Sequence, residues 1–551
     1  MNIRLFRERL RAVGSAAVAA SMVIAACAAP SAASADTQAV GETLTTAWPN
    51  DVTSLDPVAT ANSPDMAMAY NVYQGLVGYT FERNEQGSYL AKGSELAPAV
   101  AESWDLGESS ATFHLRPDAT FYPSGNPVTA DDVKWSLTRA LDGLNAQDLT
   151  TNGLQSADDV EIVDEHTVTL HFRDADGSPV APTTTTLAIY MMPQQSIVDS
   201  VEAMKHATEA DPDASDWLRS HTAGTGPYYV SDHQPGQELT LSAVPDREPV
   251  PAFTKVIIRI VNDANMAALL RAGEIDLAEY NLSQTDMNML ESSGLNIASE
   301  PAARLTYLAM AADSGPFTDP LVRQAVAYAL PYKLVLDSVY FGRAKRALSF
   351  VPSTSSAWTD AWAMYDTDLD KARALMAEAG NPEISVPLHY ASTDKTQEDI
   401  ALLIQGSLRQ IGINATLTPH TDAEQWDVVN ARSQPADGVE PAAPEMVLFN
   451  WGAWTDDPKI PVGFSSTTGG VNNYSLWSDP AVDEINAEWQ MKANSPERDA
   501  AYKQAQEIIA KAAAVIPISY ANRAVVMAPG MTGASFMVFP QSRFDLLEPA
   551  E

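Results

Sequence analysis

The run Val256-Ile257-Ile258-Arg259-Ile260-Val261 is followed by a helix-like stretch from Ala264 to Ala272 that stops at Gly273, and then by Ile275-Asp276-Leu277. A short β-branched apolar run suits a strand buried on both faces, and a glycine after a periodic stretch is a helix stop. Strand, helix and strand in such close succession confine the chain to α/β architecture. The same alternation recurs along the sequence. Thr112-Phe113-His114-Leu115-Arg116 and Thr167-Val168-Thr169-Leu170-His171-Phe172 alternate with period two, as half-buried strands do. Met446-Val447-Leu448-Phe449 and Val515-Ile516-Pro517-Ile518 are expected as further strands.

Helix signals fall between them. Thr129-Ala130-Asp131-Asp132 carries a cap residue and two acids suited to a helix N-terminus, with Val133 and Leu137 as the apolar face. Asp370 to Gly380 and Pro496 to about Ala514 are expected as helices. At 551 residues with 45% hydrophobic residues, the chain can build more than one large core. The sequence therefore reads as a large mixed α/β protein of two lobes. Its net charge of −37 repels phosphate backbones and argues against nucleic-acid binding.

The residues that do chemistry are sparse. The eight histidines form no His-x-His or His-Glu-x-x-His spacing, and the one cysteine can build neither a disulfide within the chain nor a cysteine zinc site. No Gly-x-Ser-x-Gly elbow occurs. Gly224-Thr225-Gly226-Pro227 lacks the lysine of a phosphate loop, and Pro227 removes a backbone donor, so a tight turn between lobes is expected there. Asp456-Asp457 are neighbours whose side chains point apart, which favours a structural or capping role. No enzyme, metal or cofactor is indicated, and a secreted hydrolase is the distant alternative.

Aromatics are more informative. Trp451, Trp454, Tyr474 and Trp477 cluster in a stretch otherwise rich in Gly, Ser, Thr and Asn. Trp451-Gly452-Ala453-Trp454 follows the strand 446–449, where an α/β sheet presents its ligand crevice. Trp451 and Trp454 are each open to two readings, a ligand wall or core packing.

The N-terminal 26 residues begin with Arg4, Arg7, Arg9 and Arg11 and continue into a small apolar stretch, the order of a secretory signal. Ile24-Ala25-Ala26-Cys27 resembles a bacterial lipobox, in which Cys27 becomes the lipid-modified N-terminus. The other reading is a signal cut after Ala33-Ser34-Ala35. Residues 27–40 are expected as a flexible tether. No later stretch approaches the roughly 18 apolar residues of a membrane span.

Along nearly the whole remaining length the chain resembles the solute-binding proteins of peptide/nickel-class (family 5) ABC importers, the oligopeptide- and dipeptide-binding group. The motifs occur in the family's order. Ser54-Leu55-Asp56-Pro57 precedes Asn71-Val72-Tyr73-Gln74-Gly75-Leu76, Leu96-Ala97-Pro98 and Glu102-Ser103-Trp104. Phe113 to Pro117, Thr129 to Val133 and Gly224 to Tyr228 follow. Gly273-Glu274-Ile275-Asp276, Val322 to Ala329, Trp451 to Pro458 and Ile516-Pro517-Ile518 complete the series.

The resemblance implies a hinged, bilobed periplasmic-binding-protein-like fold with an extra subdomain on lobe one. Lobe one would comprise 40–75, 224–300 and 515–551, the extra subdomain 76–223 and lobe two 301–514. Chain crossings near 300 and 515 would form the hinge. It further implies an extracytoplasmic, lipid-anchored, monomeric receptor on the outer face of the membrane that hands peptides to a permease. An oligosaccharide ligand on the same scaffold is the alternative.

Ligand contacts are expected at Asn62 and Ser63, facing Asn450, Trp451, Gly452, Ala453 and Trp454 across the cleft. In the family's peptide binders, a Trp-x-x-Asp stretch holds the ligand's α-amino group on its Asp. Here Trp451 matches the Trp, but Trp454 stands where that Asp is expected, leaving Asp456, or Asp457 beside it, as the substitute carboxylate.

Overall fold

A computed structural model describes residues 42–550 apart from 61, 262–264, 281, 435–445, 453–456, 493 and 538–541. The strands of its main sheet, in chain order, are β1 (Thr43–Trp48), β2 (Tyr228–Gln234), β3 (Glu238–Ala243), β4 (Lys255–Ile260), β5 (Leu277–Ala278), β6 (Asn296–Met310), β7 (Ala344–Arg346), β8 (Ile384–Ala391), β9 (Ile413–His420), β10 (Met446–Gly452) and β11 (Val515–Met527). They lie in the order β9-β8-β10-β6-β11-β5-β1-β4-β3-β2, with β7 also paired to β11. The sheet is mixed: β1 runs parallel to β4 and β8 parallel to β9, whereas β6 is antiparallel to both β10 and β11.

The expected strand–helix–strand unit is present with trimmed ends. The strand is Lys255–Ile260, the helix Met266–Ala272, and Gly273 closes it at φ 68°. Only a glycine reaches that left-handed conformation without strain. The following strand begins at Leu277 rather than Ile275, and Asp276 just before it is tied to β1, its carboxylate accepting the Thr45 N–H at 2.8 Å.

The helices include α1 (Ser63–Val72), α2 (Ala130–Leu141), α3 (Ala146–Thr151), α4 (Asp422–Ser433), α5 (Lys459–Ser466) and α6 (Pro496–Ala512). α2 starts as expected, with the Thr129 N–H and hydroxyl both donating to the Asp132 carboxylate. α6 ends at Ala512, two residues short of expectation, because Ala513 turns to φ 53° and ends the helical path. The helix expected at 370–380 is Leu369–Glu378.

Three large cores support these elements. One lies around β6, β8 and β10, with Leu308, Leu388, Leu448 and Trp362 fully buried. A second gathers Phe113, Val133, Leu137 and Tyr190 beneath a four-stranded antiparallel sheet in residues 101–171. The third surrounds β1 and β4 and includes Trp48, Leu241 and Phe544.

Two motifs prove to be packing devices. Asp56 of Ser54-Leu55-Asp56-Pro57 is buried and pairs with Arg139 of α2 at 2.5 Å. The Gly224 to Pro227 segment is set by close approach to α1: a Cβ on Gly226 would collide with the Val72 carbonyl carbon, and one on Gly224 with the Val72 oxygen. The Gly226 N–H donates to that same oxygen at 2.9 Å. Glycine is required there because backbone meets backbone.

Candidate functional site

β10 emerges from the core carrying alternate residues to opposite sides. Trp451, paired in register with Leu305, is 9% exposed, and its ring lies 6.2 Å from that of Phe464 on α5. Trp426 on α4 is 39% exposed and stands edge-on to Phe449 at 4.8 Å. The rings of Trp451, Phe464 and Trp426 form one wall of a cavity of about 310 Å³. The facing wall comes from more than 270 residues earlier in the chain: Asp148 and Thr151 of α3, with Asn152 at its end.

The two walls meet at one margin. Lys459, at the start of α5, is buried and donates from Nζ to Asn152 Oδ1 at 3.3 Å. Burial lowers the pKa of that ammonium. Below it lies an ion pair: Arg498 Nη2 to Asp457 Oδ1 at 2.7 Å, with Asp457 also accepting the Lys459 N–H at 2.9 Å. Arg498 further donates to the Trp489 carbonyl and to Asn494 Oδ1. Asp457 thus holds the root of α5, a structural use.

Asn450 lies next to Trp451 on the strand and is committed elsewhere. Its Oδ1 accepts from Thr306 Oγ1 at 2.7 Å, and its Nδ2 donates to Asp394 Oδ2 at 2.9 Å. Gly452 is exposed at the strand end. Asn62 caps α1, accepting the Asp65 N–H at 2.9 Å, and Ser63 is the first helical residue. The loop between Pro57 and Asn62 reaches the start of α3, where Asn145 donates to the Thr60 carbonyl at 3.4 Å. Ala453, Trp454 and Asp456 lie outside the described residues, as does Cys27. Tyr474 is core, 2% exposed, and Trp477 packs partly buried against the same core.

The residue that sequence reasoning missed is Asp148. It lines the cavity, and burial raises the pKa of its carboxyl to about 6. Its only local signal is Leu149, whose burial in the core turns the preceding side chain outward. The aromatic wall opposite it is brought there by the tertiary fold alone. Together the walls offer aromatic faces, one carboxylate and the polar groups of Thr151 and Asn152, an arrangement suited to holding a small ligand.

Residues 95–473 match the family described as bacterial extracellular solute-binding proteins, family 5. The probable D,D-dipeptide-binding periplasmic protein DdpA of Escherichia coli is 28% identical over 90% of this chain and 92% of its own length. Heme-binding protein A of Haemophilus influenzae is 27% identical over 80% of this chain and 82% of its own. The fold matches the periplasmic binding protein DppA of Helicobacter pylori, solved with the peptide STSA. The TM-score is 0.73 at 23% identity, covering 93% of this chain and 98% of that one. These neighbours are bilobed binding proteins. No helix among the described residues is long and apolar enough to cross a membrane.

Proposed function

Because this chain belongs to the family 5 bacterial extracellular solute-binding proteins, we propose that it is the receptor of an ABC importer, capturing short peptides between Trp451 and α3 and delivering them to a membrane permease. The observation that carries this reading is the cavity itself, whose walls come from chain segments hundreds of residues apart. Ligand touching both walls favours the state in which they face each other, so binding shifts the population toward a closed form that a permease can distinguish. β6 and β11, the long antiparallel pair in the middle of the sheet, are the natural hinge strands. Their register slips between Pro301 and Arg304, a break in the ladder where bending is least costly.

The receptor is monomeric and anchored through a lipidated Cys27, on the outer face of the membrane, with residues 28–40 as its tether. A dipeptide-binding relative and a peptide-bound structural neighbour support the peptide class.

A thermal-shift screen tests the ligand class, since a ligand that binds only the folded state raises the melting temperature with its concentration. Mixed di- and tripeptides should raise it. A rise with oligosaccharides alone would replace the peptide reading with the sugar one. Fractionation of Cys27→Ser cells tests the anchor, because the variant should leave the membrane fraction.

A further inference from the structure

Among the described residues, Asp148 is an acid that burial affects and no side chain answers. The other carboxylates buried at element junctions are answered within the chain. Asp56 has Arg139, Asp457 has Arg498, Glu279 has Arg523, and Asp199 has Ser124 and Asn126. The half-buried Asp148 carboxylate makes no hydrogen bond or ion pair with any described residue. Its side chain does not cap its own helix either; only its backbone N–H is used there, donating to the Asn145 carbonyl at 3.0 Å. Partial burial strips water from the carboxylate without supplying a partner, and raises its pKa to about 6.

We propose that Asp148 is a specificity-determining residue of the cleft, receiving an organic cation of the bound solute, an ammonium or guanidinium, against the rings of Trp451 and Trp426. The inference rests on the receptor reading and adds the charge class of its ligand. A cation suits both walls, because a carboxylate neutralises it and an indole face attracts it. Among the described residues the neighbouring elements offer no competing cation. Lys134 and Arg139 of the adjacent α2 are bound to the Val160 carbonyl and to Asp56, while Asp142 at its end is exposed. From the opposite wall, Arg432 of α4 is paired with Asp313, Asp427 is exposed, and Lys459 is held by Asn152 above the Asp457–Arg498 pair. Asp148 is the one titratable side chain among the described residues lining the cavity.

The test uses the whole mature protein and three tripeptide libraries: one unmodified, one N-acetylated, and one free of Lys and Arg with unblocked amino termini. Affinities are measured for the native protein and D148N at pH 7.5 and pH 5, with circular dichroism to check that D148N is folded. The expected result is at least a tenfold loss in D148N at pH 7.5, recovered in part by D148E. Native affinity should fall between pH 7.5 and pH 5, while D148N stays flat. If acetylation abolishes binding, the cation is the amino terminus; if the acetylated library still binds through its Lys and Arg, it is a side chain. Equal affinity of D148N and the native protein would overturn the role of Asp148 and leave the receptor reading standing. If no library binds the native protein, the peptide-receptor reading falls and this inference with it.

Discussion

Arg498 and Asp457 face each other at 2.7 Å with side chains 2% and 3% exposed, and through them the root of α5 is fastened to α6. Removing one partner strands the other charge in the core, which typically costs about 3–5 kcal/mol. Arg498→Met and Asp457→Ala should each lower stability by that order in urea titrations. Ligand affinity measured on the folded fraction of Asp457→Asn should stay near native, because Asp457 serves the scaffold. A specific loss of affinity with stability intact would make Asp457 a ligand anchor after all.

Asp148 should make the empty protein less stable than it could be. Its folded carboxyl titrates near pH 6, while an unfolded aspartate titrates near ~3.9. The folded state therefore binds more protons between those values, and stability contributed by this group falls as pH rises through the window. Asp148→Asn should raise the melting temperature at pH 7.5, with the gain shrinking below pH 6 and gone near pH 4. An unchanged difference at both ends would mean the carboxylate is well solvated.

Two glycines should respond oppositely to alanine. Gly226→Ala drives a methyl into the Val72 backbone and should cost about 1–3 kcal/mol, as overpacking does. Gly406 lies inside the helix Lys395–Arg409, where an added methyl group would meet nothing within 4 Å, so Gly406→Ala should gain about 1 kcal/mol. Chemical denaturation of both variants reads the contrast directly.

The aromatic wall can be dissected by exposure. Trp451→Ala empties a buried site and should cost about 3 kcal/mol or more along with ligand affinity. Trp426→Ala removes a half-exposed ring and should weaken binding with much less effect on unfolding. Parallel calorimetry and melting curves separate the two.

Much of the fold was legible because its signals are local. Thr129 with Asp132, Gly273, and the apolar run from Met446 to Phe449 each act within a few residues. Trp451 could be placed near the end of its strand for the same reason. Asp148 could not, since its meaning depends on β10 lying opposite α3, and a single acid in a short polar helix looks like any surface residue. Nor could the glycines at 224 and 226, whose constraint is the carbonyl of Val72, about 150 residues away in sequence.

The main sheet has an order of assembly built into it. β9, β8, β10 and β6 can pair on one side, and β5, β1, β4, β3 and β2 on the other, but among the described residues the two groups are joined only through β11. That strand begins at Val515, and Ser542 and Phe544 beyond it close onto Asn71 near the start. The joint therefore depends on a strand that follows every other strand of the sheet in the sequence. Contacts of such long sequence separation form slowly. Two partial sheets can gather separately, but they cannot unite until Val515–Met527 is in place between them.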